Sequence, residues 1–201
     1  MNKLYILGGL AGLLALSSCT DHVVIPPPVP LVDLNCECDM MMDDTNYVYD
    51  DTCDYFSTKN IITGGVSTAR YTTTLEDDVL PGTVWVEIRS LNWSDDGSNN
   101  PSLSEWKAFL EDNPTPGFSD NLDHNGIEVR WLDEYGELWI SDTAQGPCVE
   151  SFVFNTLIQE SDTLGDWMQF DATLDCKMIR ESDGTEACLS NGHIRSAFKL
   201  E

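Results

Sequence analysis

The sequence predicts a mainly β protein: an antiparallel β-sandwich, or an open barrel, with one short α-helix at about 102–112. Two observations carry this. Several runs alternate apolar and polar residues with period two, the mark of strands with one buried and one wetted face. Between them stand Asn125-Gly126, Asp183-Gly184 and Asn191-Gly192, pairs that reach positive φ at little cost. Only one stretch combines helical periodicity with a capping signal.

Residues 1–18 read as a signal peptide. Lys3 supplies the charged start, Leu4 to Leu16 the apolar run, and Ser17-Ser18 the small residues before Cys19. The apolar run is too short to span a bilayer, which takes about 20 residues. Leu16-Ser17-Ser18-Cys19 resembles the bacterial lipobox. The resemblance implies cleavage before Cys19, diacylation of its thiol and acylation of the new amino group. One acyl chain holds a membrane only marginally, so several are needed for stable anchoring. The membrane is thus an expected partner, through the N-terminal lipid. Thr20, not Asp, follows the cysteine, which favours the outer membrane by analogy with enteric bacteria. Only one acid, Asp21, lies close behind, so the face of that membrane stays open.

Residues 19–35 form the lipidated cysteine and a tether. Pro26-Pro27-Pro28 and Pro30 exclude helix and central strand and favour polyproline II. Fully extended at about 3.1 Å per residue, the segment after Cys19 would reach roughly 50 Å. An acidic Cys-rich segment follows at 36–55. With Cys19 lipidated, Cys36, Cys38, Cys53, Cys148, Cys176 and Cys188 remain. An even count in an exported chain predicts three disulfides, with connectivity open. The proposed pairing is Cys38–Cys53, Cys36–Cys148 and Cys176–Cys188. The first would close a loop of about 15 residues, worth roughly 3 kcal/mol. A zinc site is disfavoured by the Cys-x-Cys spacing and the lack of a nearby His.

The β-domain is expected over 56–201. Val84, Val86 and Ile88 alternate with Trp85, Glu87 and Arg89, and Ile127, Val129 and Trp131 with Glu128, Arg130 and Leu132. Phe152, Phe154, Thr156 and Ile158 form a further row. Met168, Phe170, Ala172, Leu174, Cys176 and Met178 make the longest buried face, and Ile194, Phe198 and Leu200 the last. Ser102-Leu103-Ser104-Glu105 is a capping box, after which Leu103, Trp106 and Leu110 share a helix face until Asn113-Pro114 ends it.

Acidic residues outnumber basic ones 35 to 10, a formal charge of −25. Such a chain repels phosphate backbones, so no nucleic-acid partner is expected. No nucleophile elbow, zincin motif or phosphate loop occurs, and His22, His124 and His193 lie in tether or turn sequence. A hydrolase would need a cleft with two convergent carboxylates within about 9.5 Å. Structural calcium has two candidate loops, Asn92, Asp95, Asp96 and Asn100 in one, Asp120, Asp123 and Asn125 in the other. Leu103 stands where an EF-hand requires a bidentate Glu, so that motif is excluded. Trp85, Trp93 and Trp167 are the tryptophans predicted to be exposed, and exposed Trp rings stack on sugars. Asp142-Thr143-Ala144 and Asp162-Thr163-Leu164 resemble the short O-glycosylation signal of exported Bacteroidota proteins, with Thr143 and Thr163 as acceptors.

The lipobox, the spacer and the C-terminal run FDATLDCKMIRESDGTEACLSNGHIRSAFKL together resemble the small uncharacterised outer-membrane lipoproteins of Bacteroidota. The resemblance implies a lipid-anchored β-sandwich and no particular reaction. The expected role is non-catalytic: binding a glycan or another envelope protein. The specific alternative is a glycan-binding accessory lipoprotein, and a hydrolase comes third.

Overall fold

The structure is a computed structural model describing residues 30–94, 99–144 and 146–200. Cys19 and its lipobox, the Pro26–Pro28 run, and Asp95 and Asp96 fall outside these residues. The elements are β1 (Glu37–Met42), β2 (Thr45–Tyr49), β3 (Thr52–Asn60), β4 (Val66–Glu76), β5 (Thr83–Ser94), α1 (Leu103–Glu111), β6 (Gly126–Leu132), β7 (Leu138–Ser141), β8 (Ser151–Ser161), β9 (Asp166–Arg180) and β10 (Glu186–Leu200). The chain is mainly β, with one short helix among the described residues.

All ten strands join one antiparallel sheet in the order β2-β1-β10-β9-β7-β6-β5-β4-β3. β8 pairs with β9 ahead of β7, from Ser161↔Asp166 to Ser151↔Asp175, and β7 takes over at Ser141↔Met178. The long strand β9 therefore belongs to two arms of the sheet. The arms curl toward each other until β3 and β4 pack on β10, making a half-barrel. Thr73 Oγ1 and Ser196 Oγ, 2.6 Å apart, hydrogen-bond across the closure.

The alternating rows fill the space between the arms. Val84, Val86, Ile88, Ile127, Val129 and Trp131 are buried from one side, and Met168 to Met178 with Ile194 and Phe198 from the other. Phe170 stacks on Phe198 at 4.8 Å, with Phe154 edge-on to both. Each such side chain contributes about 1.5–3 kcal/mol of burial. The acidic Cys-rich segment shares this core. Cys38, Met40 and Met42 of β1 point inward, while Glu37 and Asp39 occupy the other phase. Tyr49 Oη at the end of β2 accepts a hydrogen bond from Trp131 Nε1 at 2.7 Å, tying that edge to β6.

Two rows depart from simple alternation. In β8 the register shifts between Phe154 and Thr156. Phe152 and Phe154 are buried as expected, but Thr156 and Ile158 are turned outward, and Ile158 is exposed. In β10 Asn191-Gly192 is not a turn but a bulge inside one continuous strand. Asn191 takes φ 51° there, and a Cβ on Gly192 would meet Leu174 Cδ2 at 2.4 Å. Only glycine lets β10 pass that close to β9.

The helix starts as its sequence requires. Ser102 Oγ accepts from Glu105 N, and Glu105 returns a bond to Ser102 N, completing the capping box. Trp106 and Leu110 are buried, with Trp106 edge-on to Tyr71 at 5.9 Å. Leu103, expected on that face, is exposed instead. The helix packs against β5 and β8.

The structure holds two disulfides, Cys36–Cys53 and Cys148–Cys188, and Cys38 and Cys176 are buried thiols. This corrects the expectation of three bridges and each proposed pair. Cys176 faces the core, whereas Cys188 lies opposite Lys177, one residue along on β9, so the two thiols occupy opposite faces of the sheet. Cys38 lies opposite Ile194, in the core. Curling brings the start of β3 to Cys36, ahead of β1, and leaves Cys38 unbridged.

Candidate ligand-binding face

The outward phase of β3 to β6 forms an open face. Cross-strand registers Phe56↔Thr72, Thr58↔Arg70, Thr72↔Glu87, Trp85↔Arg130 and Glu87↔Glu128 place these side chains on one surface. At its centre lies an ionic cluster. Arg89 is almost fully buried and uses all its donor groups: Nε to Glu87 Oε1 at 2.6 Å, Nη2 to Glu128 Oε1 at 2.7 Å, and Nη1 to the Ser119 carbonyl at 2.9 Å. Thr72 Oγ1 donates to Glu87 Oε2 at 3.2 Å.

Arg70 and Arg130 converge on the same carboxylate from neighbouring strands, at 3.5 Å and 4.0 Å from Glu87, and Arg130 also lies 3.4 Å from Glu128. These separations exceed good hydrogen-bond length. Their side chains are 27% and 32% exposed, against 4% for Arg89. Arg89 is thus committed to the fold, while Arg70 and Arg130 retain donor capacity facing solvent. Arg130 sits over the ring of the partly exposed Trp85, 5.8 Å from its centroid, in a cation–π contact. Three guanidiniums against two carboxylates leave a local positive excess on a chain of charge −25. Beside Arg70 is a polar cleft of about 190 Å³ lined by Thr58, Asn60, Thr68, Lys59 and Asp123.

Of the tryptophans expected to be exposed, only Trp85 is accessible on this face. Trp93 (3% exposed) and Trp167 (5%) are buried, which corrects that expectation. The register shift of β4 against β5 between Ala69 and Tyr71 puts Trp93 in the inward phase. Trp167 is covered by Tyr55, edge-on at 5.2 Å, and by Lys199, and its Nε1 donates to Asp162.

Of the candidate ligands in the first calcium loop, only Asn92 and Asn100 are among the described residues. Asn92 Nδ2 donates to the Ser90 carbonyl, and Asn100 Oδ1 accepts from Lys59 Nζ at 2.6 Å. Asp120, Asp123 and Asn125 lie on an exposed loop in which Asp123 N bonds to Asn121. Among the described residues no group of three His, Cys, Asp or Glu side chains is placed to hold a metal. Thr143 and Thr163 are both exposed in loops. The Asp before each is engaged: Asp142 with Lys177 at 2.5 Å, and Asp162 with the backbone of Leu164 and Gly165 and with Val32 N.

On the opposite arm, Asp171 gathers Asn155, His193 and Arg195 at 2.9–3.2 Å, and Arg195 also reaches Glu37. Partial burial raises the Asp171 carboxyl, but the hydrogen bonds and the charge of His193 outweigh it and hold it below the ordinary 3.8. Carboxylates enter the better-formed clefts singly: Asp123 beside Arg70, Asp171 beside Arg195, and Glu150 in a 310 Å³ cleft between Thr115 and Val153. None of these three brings together the pair that glycoside hydrolysis uses.

The ionic cluster was not singled out from the sequence, yet a signal exists. Glu87-Ile88-Arg89 and Glu128-Val129-Arg130 repeat one Glu-apolar-Arg pattern on two expected strands, putting like pairs in the same outward phase. No family model, curated protein or solved structure matches this chain.

Proposed function

We propose that this chain is a lipid-anchored protein of the bacterial outer membrane, of the small Bacteroidota lipoprotein type, with a non-catalytic binding role. The lipobox at Leu16–Cys19 supports the anchor. Two disulfides suit an oxidising, exported setting. Val32 N bonds to Asp162 Oδ2 at 2.9 Å in the turn between β8 and β9, marking where the tether leaves the domain. The observation that carries the binding role is the open face of β3–β6, where part of Trp85, Arg70 and Arg130 meet solvent. The anchor is tested by feeding cells an alkynyl fatty acid. The wild-type chain takes up the label and fractionates with membranes, and Cys19→Ser abolishes both. An unlabelled, freely soluble wild-type chain would overturn the anchor.

Trp85 favours a glycan over a protein as the ligand. A half-buried indole with polar side chains on every side offers a stacking surface with hydrogen-bonding groups around it. Fluorescence of the full chain in detergent, titrated with polysaccharides, tests this reading. A saturable shift that Trp85→Ala removes supports it, and silence toward every polysaccharide ends it.

A further inference from the structure

The face beside Trp85 carries more information than a stacking surface. Of the ten Lys and Arg residues in the chain, Lys59, Arg70, Arg89 and Arg130 meet on this one face and its adjoining cleft. Cations this scarce, gathered in one place, need a reason. Arg89 has one, since it bonds both Glu87 and Glu128 inside the sheet and balances one of their two charges. One of Arg70 and Arg130 balances the second carboxylate, so the cluster keeps one positive charge in excess, and both hold their guanidiniums at long range over a carboxylate already bonded to Arg89.

We propose that the outer face of β3–β6 binds an anionic polysaccharide, its carboxylate or sulfate held between Arg70 and Arg130. The proposal rests on the glycan reading above and specifies its substrate class. Arginine suits this task because its planar fork of donors matches a carboxylate or sulfate with two parallel bonds. The two forks come from β4 and β6, on either side of β5, so a rigid sheet sets their spacing and a loop does not. Next to Arg70 the small cleft offers neutral groups, Thr58, Asn60 and Thr68, fitted to sugar hydroxyls. Trp85 flanks Arg130 on the other side. Beyond Glu87 and Glu128 themselves, the acids on this face are Asp123 at the cleft and Asp54 and Glu76, which lie across Thr74 and Thr83 toward the far end of the face. More distant acids are screened, because the Debye length at physiological ionic strength is about 8 Å.

The decisive comparison keeps the polymer and removes its charge. The full chain in detergent is titrated with polygalacturonate and with its fully methyl-esterified form, and in a second arm with chondroitin sulfate and its desulfated form. The acidic polymer of at least one arm is expected to bind about tenfold or more tightly than its neutral counterpart, as a charge-assisted bidentate contact would give. Which arm responds separates carboxylate from sulfate. Arg70→Gln and Arg130→Gln should each weaken that binding by about tenfold. Arg195→Gln, on the opposite arm, should leave it unchanged. If neutral and acidic polymers bind alike, the glycan reading stands and the anionic proposal falls. If nothing in either arm or in a neutral panel binds, the glycan reading itself fails and takes the proposal with it. The charge comparison on the wild-type chain decides the matter even if an arginine variant does not fold.

Discussion

Arg89 shows how a residue can be polar in sequence and structural in effect. It sits in the outward phase of its strand, yet it is buried with three bonded groups. Removing one partner from a buried ionic cluster costs about 3–5 kcal/mol, because the remaining charges lose their compensation. Here Arg70 and Arg130 lie close enough to take up part of that loss. Arg89→Leu should therefore lower the unfolding free energy by about 3 kcal/mol, read by denaturant titration. A loss below about 1 kcal/mol would mean the flanking arginines already neutralise both glutamates. Asp171 gives a residue-scale prediction in pH. Its folded carboxyl titrates below the ordinary 3.8, so its stabilisation is complete above that value and is lost as pH falls through the folded one. Lys177 runs the other way. The hydrogen bond it donates to Asp142 raises it above 10.5, so its contribution is present below that value and lost as pH rises through the folded one. Replacing Asp171 with Asn should flatten the acid limb of the stability curve below about pH 4 while leaving the alkaline limb unchanged. An unaltered acid limb would show that other carboxylates dominate acid unfolding.

At the scale of elements, what could be read in the sequence was what is local. Period-two rows name β5, β6 and β9 and their inward rows at 84–88, 127–131 and 168–178, because alternation is a property of one strand, though they miss the burial of Trp93 and Trp167. The capping box names the helix for the same reason. What failed depends on neighbours. The bulges in β8 and β10 reverse side-chain phase; nothing in the β8 run announces its bulge, and in β10 Asn191-Gly192 signals positive φ without telling a bulge from a turn. The burial of Trp167 needs β3 to arrive from the far arm. Disulfide pairing depends on the same curl, since Cys36 and Cys53 meet only because β3 closes on the start of β1. The pairing carries its own prediction. Non-reducing peptide mapping should recover Cys36–Cys53 and Cys148–Cys188, with Cys38 and Cys176 alkylated only after denaturation. Burial, with Asp39 and Glu37 nearby, pushes the Cys38 thiol up to about 12, and burial raises Cys176 likewise, so neither offers thiolate at neutral pH. The bridges close separations of 17 and 40 residues, and the chain-entropy relation gives about 3 and 4 kcal/mol for them. Reduction should accordingly lower the melting temperature steeply. A peptide linking Cys38 to Cys53 would reject the register of β1.

For the molecule as a whole, charge is the property the fold does least to hide. Its −25 is spread over loops and the outward phases of strands, and most of the 35 acids have no cation to pair with. The ion pairs that do form fall into two kinds. The cluster around Arg89 and the Lys177–Asp142 contact are largely buried, so salt screens them weakly. The remainder, such as Lys107–Glu111 and Arg195–Glu37, are half exposed and contribute little. Added salt should then act mainly on the long-range repulsion among unpaired acids, which opposes the compact state. Raising sodium chloride from about 10 mM to about 150 mM brings the screening length from roughly 30 Å to roughly 8 Å, less than the width of the domain. The melting temperature should rise by about 2–4 °C, the shift that 1 kcal/mol produces in a chain of this length. A fall on adding salt would mean that exposed pairs outweigh the net repulsion, and the scarce arginines would then be stabilising the surface as a whole and not serving one face.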